Sequence, residues 1–174
     1  VNEETLPAAV AGLKTCGIRG FNLTMPNKNK IVELLDELSP EAQLIGAVNT
    51  VLNDNGKLIG YNTDGYGFMQ SVRDAGHDIT GKNITVMGVG GASMAICAQS
   101  ALDGAASVHI FARRTSRYWN RTQKFAENLS AKTGCQVCLF DNDDHTALRN
   151  SIAQSYLLIN ATSVGMVPDI DDKI

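Results

Sequence analysis

The sequence predicts an α/β protein in which a doubly wound parallel sheet over residues 77–174 follows part of a smaller α/β domain over residues 1–76. Two observations predict the sheet: strand-like apolar runs alternate with amphipathic stretches from Asn83 onward, and a glycine-rich turn joins the first run to the first helix. A third predicts the division, because the rhythm changes near Gly76 to Lys82 and a hairpin signal replaces the alternation before it.

In the first part, GIRGFNLT suggests a short strand. Ile31, Leu34, Leu35 and Leu38 then fall at i, i+3, i+4 and i+7, which predicts a helix with one apolar face. Ser39-Pro40 closes it and opens a short helix, with serine as N-cap and proline at the first helical position. AVNTVL and KLIGYNT read as strands, joined through Asn53-Asp54-Asn55-Gly56 by hairpin chemistry. A helix from about Gly65 to Ala75 ends this part at Gly76.

In the second part, NITVMGVGGAS runs from strand into turn, and MAICAQSALDG is a helix ending near Gly104. SVHIFA, TQKFAENLSAKT, QVCLF, Thr146 to Gln154 and YLLINAT continue the alternation as strand, helix, strand, helix, strand. Right-handed crossovers at this spacing give a parallel sheet.

A length of 174 residues admits one full domain and part of another, at about 100–150 residues per domain. The net charge of -3 offers no long-range attraction for nucleic acid or anionic lipid, so neither is an expected partner. No apolar run approaches the roughly 20 residues of a bilayer span, and VNEETLPAAVAGL lacks the features of a signal peptide. A cytoplasmic protein, monomer or homodimer, is expected. Of the cysteines, Cys135 and Cys138 resemble half a metal site, but strand positions three apart face opposite ways. All four, with Cys16 and Cys97, read as small buried hydrophobes, and no metal is expected. His77, His109 and His145 are scattered and read as solvated or structural. Tyr118 and Trp119, beside arginines, read as a helix surface.

The turn Gly88-Val89-Gly90-Gly91-Ala92-Ser93 lies where a Rossmann-like fold holds a pyrophosphate. Its glycines admit close backbone approach, and the next helix offers free N–H groups and a positive dipole end. Ser93 replaces the third fingerprint glycine. After the next strand come Arg113, Arg114 and Arg117, where an NAD site carries an acid for the ribose. Guanidinium groups suit a 2′-phosphate instead, which favours NADP, with Arg113 and Arg114 ahead of Arg117. A solvated basic loop is the other reading.

In the first part, Asn22 to Lys28 place polar groups just past a strand. Lys28 near a helix start gains nothing from the dipole, although a solvated lysine is an ordinary thing. Asp64 is suited to cap the helix after it, and capping alone would explain it.

NLTMPNK, GAVNT, YNTDGYG, GVGGAS and NATSVGM, in this order from about Gly17 to Met166, resemble the shikimate dehydrogenase family. The resemblance implies that Lys28 and Asp64 form a catalytic pair and that Asn22, Thr24 and Asn49 join them at the substrate. It also implies that Gly88, Val89, Gly90, Gly91 and Ala92 hold the pyrophosphate and that Thr162, Ser163 and Met166 lie near the nicotinamide. Shikimate or quinate would be the substrate, and NADP, with NAD possible, the cofactor. Ala112-Arg113-Arg114 departs from the Asn-Arg-Thr of many members. Thr115 replaces the aspartate of the quinate/shikimate branch that accepts NAD. The family would also supply an amino-terminal segment gripping the substrate carboxylate and carboxy-terminal helices, which the resemblance does not find in this chain. The competing readings are a nucleotide-binding regulatory module on the same fold and a dehydrogenase of the methylenetetrahydrofolate type.

Overall fold

The structure, a computed structural model, describes residues 1–168 and 170–173. It divides into two compact units, Val1–Gly67 and Phe68–Ile174. The division falls inside a helix, ahead of the boundary expected at Gly76, because the helix's later residues pack with the second unit. Met69 and Val72 are buried, Ser100 Oγ meets Met69 Sδ at 3.6 Å, and Arg73 pairs with Asp103 at 2.7 Å.

The first unit opens with α1 (Leu6–Thr15), an element that the sequence pattern does not announce. Only Leu6 and Val10, one turn apart, are buried on it. A two-residue stripe among alanines gives almost no periodic signal. Then come β1 (Gly20–Asn22), α2 (Asn27–Lys30), a 3-10 turn (Ile31–Leu34) and β2 (Glu37–Leu38). The helix expected from Ile31 to Leu38 is therefore corrected. It stops at Leu34, and Leu35 is extended at φ -106 and ψ 146.

Sheet pairing outweighs the helical spacing there. Asp36 N donates to Leu58 O at 3.0 Å, and the Asp36 carboxylate accepts from Leu58 N at 2.7 Å. All four apolar residues still reach the core: Ile31 is buried, while Leu34, Leu35 and Leu38 pack against it. The spacing correctly names the residues that turn inward and misnames the backbone that turns them.

Ser39 does cap α3 (Pro40–Ile45), its hydroxyl accepting from Ala42 N at 3.4 Å. The hairpin forms between β3 (Thr50–Asp54) and β4 (Lys57–Tyr61). Asn55 and Gly56, both at positive φ, make its turn. The sheet runs β1-β3-β4-β2, with β2 alone parallel to its neighbour. Its core joins Leu6, Val10, Ile31, Ala42, Val48, Val51 and Leu58.

Gly60 in β4 marks a tight point of that core. A Cβ there would lie 2.5 Å from Leu35 Cδ1 and 2.7 Å from Val48 Cγ2. Gly60→Ala is expected to cost about 1–3 kcal/mol by overpacking. The shift is read as a lower urea midpoint with unchanged slope.

α4 (Asp64–Asp74) leads into the second unit, where β5 (Asn83–Met87), β6 (Ser107–Ala112), β7 (Gln136–Asp141) and β8 (Leu157–Asn160) alternate with α5 (Gly91–Leu102), α6 (Trp119–Thr133) and α7 (His145–Gln154). The sheet is parallel throughout, in the order β7-β6-β5-β8. The chain first moves outward from β5 to β7, then returns to place β8 on the other side of β5. The end of β5 is thus a topological switch point, the place where such sheets open to ligands. The alternation in the sequence predicts this sheet, and the structure has it.

The reading of the cysteines holds for Cys97 and Cys135, which are buried, but Cys16 is exposed and Cys138 half-buried. Burial pushes the Cys97 thiol up to about 12 and that of Cys135 up to about 11. Both therefore stay protonated near neutral pH, and only thiolates react. Alkylation of the native protein with subsequent peptide mapping should label Cys16 first and Cys97 only on unfolding. Trp119 is also corrected: it is 9% exposed, buried at the start of α6 rather than spread on its surface. His109 is structural, bonded to Ser151 Oγ at 2.9 Å, and burial lowers its pKa. Among the described residues no helix is long and apolar enough to cross a membrane.

Candidate active site

A polar cluster gathers in the first unit where β1, α2, β3 and α4 bring their ends together. The link after β1 carries Lys28 into the single turn of α2, and Lys28 O accepts from Val48 N at 2.8 Å. The residues just before β3 are thereby tied to the same turn. Leu23 N donates to Asn49 O at 2.9 Å, and Asn49 N to Tyr61 O at 3.0 Å. Asn49 is therefore held on both sides by backbone.

Lys28 Nζ lies 2.6 Å from Asp64 Oδ2, and Asn49 Nδ2 donates to Asp64 Oδ1 at 2.7 Å. The side chains of Lys28 and Asp64 are 21% and 37% exposed, so the pair is sheltered but open to a small molecule. The two residues raised together by the sequence resemblance are in fact together. Capping does not account for Asp64. It is the first residue of α4, its own N–H goes to Asn62 Oδ1 at 3.2 Å, and both carboxylate oxygens are taken by side chains. Its place in the first helical turn still favours the negative charge.

Asn49 is oriented by its other end. Its Oδ1 accepts from Thr50 Oγ1 at 2.9 Å and from Thr63 N at 3.1 Å, which leaves Nδ2 to face Asp64. Asn22 Nδ2 donates to Thr50 Oγ1 at 2.9 Å, joining the cluster through that hydroxyl. Thr24 is exposed beside it, its carbonyl closing a turn with Asn27 N at 3.0 Å. Thr63 belongs to the cluster too, its hydroxyl accepting from Asn49 Nδ2 at 3.0 Å. Sequence reasoning misses it, although a threonine directly before an acidic first turn is a recognisable N-cap signal.

In the second unit the glycine turn comes after β5 as expected. Gly88 has φ +107, and a Cβ on it would lie 2.8 Å from Ala161 O. Gly90 and Gly91 instead face open space, with nothing within 4 Å of a built Cβ. Gly90 is the N-cap of α5 and gives no side-chain cap, so the first-turn N–H groups are available to an anion. Val89 is half-buried and Ala92 exposed. Ser93 is fully buried and its hydroxyl donates to Gly88 O at 2.6 Å. The replacement for the third glycine thus locks the turn to its helix. This cradle fits the diphosphate of a dinucleotide.

Arg113, Arg114 and Arg117 are exposed just beyond β6, the strand beside β5. Arg114 lies over the Trp119 ring at 4.7 Å, and Arg117 over Tyr118 at 4.7 Å. Past β8, Thr162 Oγ1 donates to Asn160 Oδ1 at 2.7 Å and accepts from Val164 N at 3.1 Å. Ser163 is exposed, its carbonyl accepting from Met166 N at 3.1 Å, and Met166 is 63% exposed. Among the described residues no group of three or more His, Cys, Asp or Glu is arranged to hold a metal ion.

A glycine cradle at the switch point of a doubly wound sheet defines a Rossmann-like dinucleotide fold, here in one chain with a mixed-sheet unit that carries a lysine–carboxylate pair. The family described as shikimate dehydrogenase substrate binding domain matches residues 1–51. The chain is 49% identical over 168 residues to the shikimate dehydrogenase (NADP(+)) of Listeria innocua, covering 97% of this chain and 57% of that protein. It is 42% identical over 168 residues to the quinate/shikimate dehydrogenase of Escherichia coli, covering 97% and 58%. The solved structure of shikimate 5-dehydrogenase from Listeria monocytogenes, in complex with shikimate and NAD, matches with a TM-score of 0.97 at 46% identity, covering 99% of this chain and 60% of that one. The chain belongs to the shikimate dehydrogenase family. It spans 57% to 58% of the length of these curated relatives.

Proposed function

We propose that the protein catalyses reversible NADP-dependent hydride transfer between shikimate and 3-dehydroshikimate, in the route to aromatic amino acids. Quinate and NAD are the alternative substrate and cofactor. Residues 1–76 would act as the substrate-binding part and residues 77–174 as the nucleotide-binding part. The protein would work in the cytoplasm as a monomer or homodimer. The observation that carries the reading is the bonding of both Asp64 oxygens, one to Lys28 and one to an Asn49 amide oriented by its neighbours.

The nicotinamide, when bound, supplies or takes up the hydride. In the reducing direction the carbonyl electron pair moves onto oxygen as hydride reaches carbon. The Lys28 ammonium stabilises that oxygen and gives it a proton, so the pair becomes the new O–H bond and the lysine is left as an amine. Asp64 holds Nζ in line throughout. In the oxidising direction the amine takes the hydroxyl proton as hydride leaves. Asn22, Thr24, Asn49 and Thr63 orient the ring hydroxyls, so that the reacting carbon is fixed before the transfer. The turn from Gly88 to Ala92 would hold the diphosphate, Arg113, Arg114 and Arg117 the 2′-phosphate, and Thr162, Ser163 and Met166 the nicotinamide end of the cofactor.

Steady-state reduction of NADP and NAD, each with shikimate and with quinate, tests the proposal. The expected result is turnover of shikimate with the highest kcat/KM for NADP. Nucleotide binding with no turnover of either acid would leave a binding module instead. A strong NAD preference would overturn the role given to the arginines.

A further inference from the structure

The three arginines beyond β6 are held differently, and the difference leads to Trp119. The Arg114 guanidinium lies over the indole, its central carbon 4.7 Å from the ring centroid. The indole is itself fixed. It is 9% exposed, it begins α6, and its backbone N–H donates to Ser116 O at 3.0 Å. The Arg114 main chain is also tied, its N–H reaching Asp141 Oδ1 at 3.3 Å. The same oxygen accepts from Asp143 N at 3.2 Å, so this carboxylate is turned to backbone donors.

A guanidinium held over a ring spends no N–H group on a hydrogen bond there, and the N–H groups are what grip a phosphate bidentately. Arg117 stacks on Tyr118 but spends a donor on the Tyr118 hydroxyl at 2.6 Å. Arg113 has no aromatic shelf among the described residues. Of the three, Arg114 alone lies over a buried ring and, among the described residues, spends none of its side-chain donors on a hydrogen bond, whereas Arg117 lies over the half-buried Tyr118 and is tied to its hydroxyl.

We infer that Trp119 is a positioning residue that presents Arg114 to the 2′-phosphate of the cofactor, and so sets part of the preference for NADP over NAD. This rests on the proposed assignment of the turn after β6 to the adenosine ribose. Nothing in the chemistry requires the indole to touch the nucleotide; it acts through Arg114.

The test measures affinity of the whole protein for adenosine 2′,5′-bisphosphate and for 5′-AMP by titration, which needs no turnover. Trp119→Leu is expected to weaken binding of the bisphosphate about three- to tenfold while that of 5′-AMP stays within about twofold. Trp119→Phe, which keeps a ring face, should recover most of the loss. Because a buried tryptophan can be needed for folding, the second arm replaces it with increasingly fluorinated tryptophans of nearly the same shape. Bisphosphate affinity should fall stepwise with fluorination as the ring face loses its negative charge. A merely structural role would weaken both nucleotides together or neither, and either result, like a flat fluorination series, would overturn the inference. Arg114→Ala separates the two levels. If it leaves the ratio of affinities unchanged, the phosphate assignment itself fails. If it lowers the ratio and the Trp119 variants do not, only the positioning role fails.

Discussion

Lys28→Ala is expected to lower kcat for shikimate oxidation by about 10²- to 10⁴-fold, the usual range for losing a positioned general acid–base group. Nucleotide affinity should stay unchanged. The alanine would remove both the proton and the positive charge proposed to meet the developing oxyanion, and among the described residues no second cation pairs with Asp64. Folding should survive the change. The paired side chains are 21% and 37% exposed, and partly exposed ion pairs contribute only about 0–1 kcal/mol. Turnover within about threefold of the unaltered protein would remove Lys28 from the mechanism.

Gly88→Ala is expected to damage both fold and nucleotide binding. Its φ of +107 is a conformation that L residues rarely adopt, and its Cβ would meet Ala161 O at 2.8 Å, Ala161 C at 3.0 Å and Thr162 Cγ2 at 3.1 Å. Two of these are backbone atoms that cannot swing aside, so either the turn or the segment after β8 must shift. Backbone strain of this kind costs about 1–3 kcal/mol before any clash. That corresponds to a thermal midpoint lower by about 2–12 °C for a protein of this size. Dinucleotide affinity should fall by more than about tenfold, because the displaced turn no longer aims its N–H groups. Gly90→Ala is the contrasting variant. Gly90 has φ -81 and open space around it, so its methyl strains nothing within the protein and projects where the nucleotide would lie. It should lose nucleotide affinity with the thermal midpoint retained. An equal loss of stability in both variants would contradict this division.

The parallel unit is the more legible of the two because its elements are long and each is signalled on its own. β5 is buried along nearly its whole length and α6 carries a clear apolar face, so period and punctuation agree. The first unit's sheet is built from pieces of two to five residues tied by long-range pairing. The Ile31 to Leu38 stretch has helical spacing, yet Asp36 and Leu58 exchange two hydrogen bonds that draw it into a strand. No local pattern announces that Leu58 lies opposite.

The site divides along the same line. The cradle at Gly88 to Ala92 comes from glycines between a strand and a helix, a local arrangement. Lys28, Asn49 and Asp64 are far apart in sequence, and each has a bland local explanation; only the order of short motifs links them. Thr50 escapes a sequence reading, and Thr63 shows in sequence only as a cap signal, because the part of both is to orient Asn49, a relation that exists only once the chain is folded. Ser93 looks in sequence like a missing glycine, whereas its buried hydroxyl ties the turn to its helix.

Whether Lys28 and Asp64 work as one unit in proton transfer is read from the kcat of the Lys28→Ala/Asp64→Ala double variant. If they act together, the double variant should be no slower than the slower single variant, as is found when residues share a step. Losses that multiply would rule out a shared step and return the two residues to separate roles.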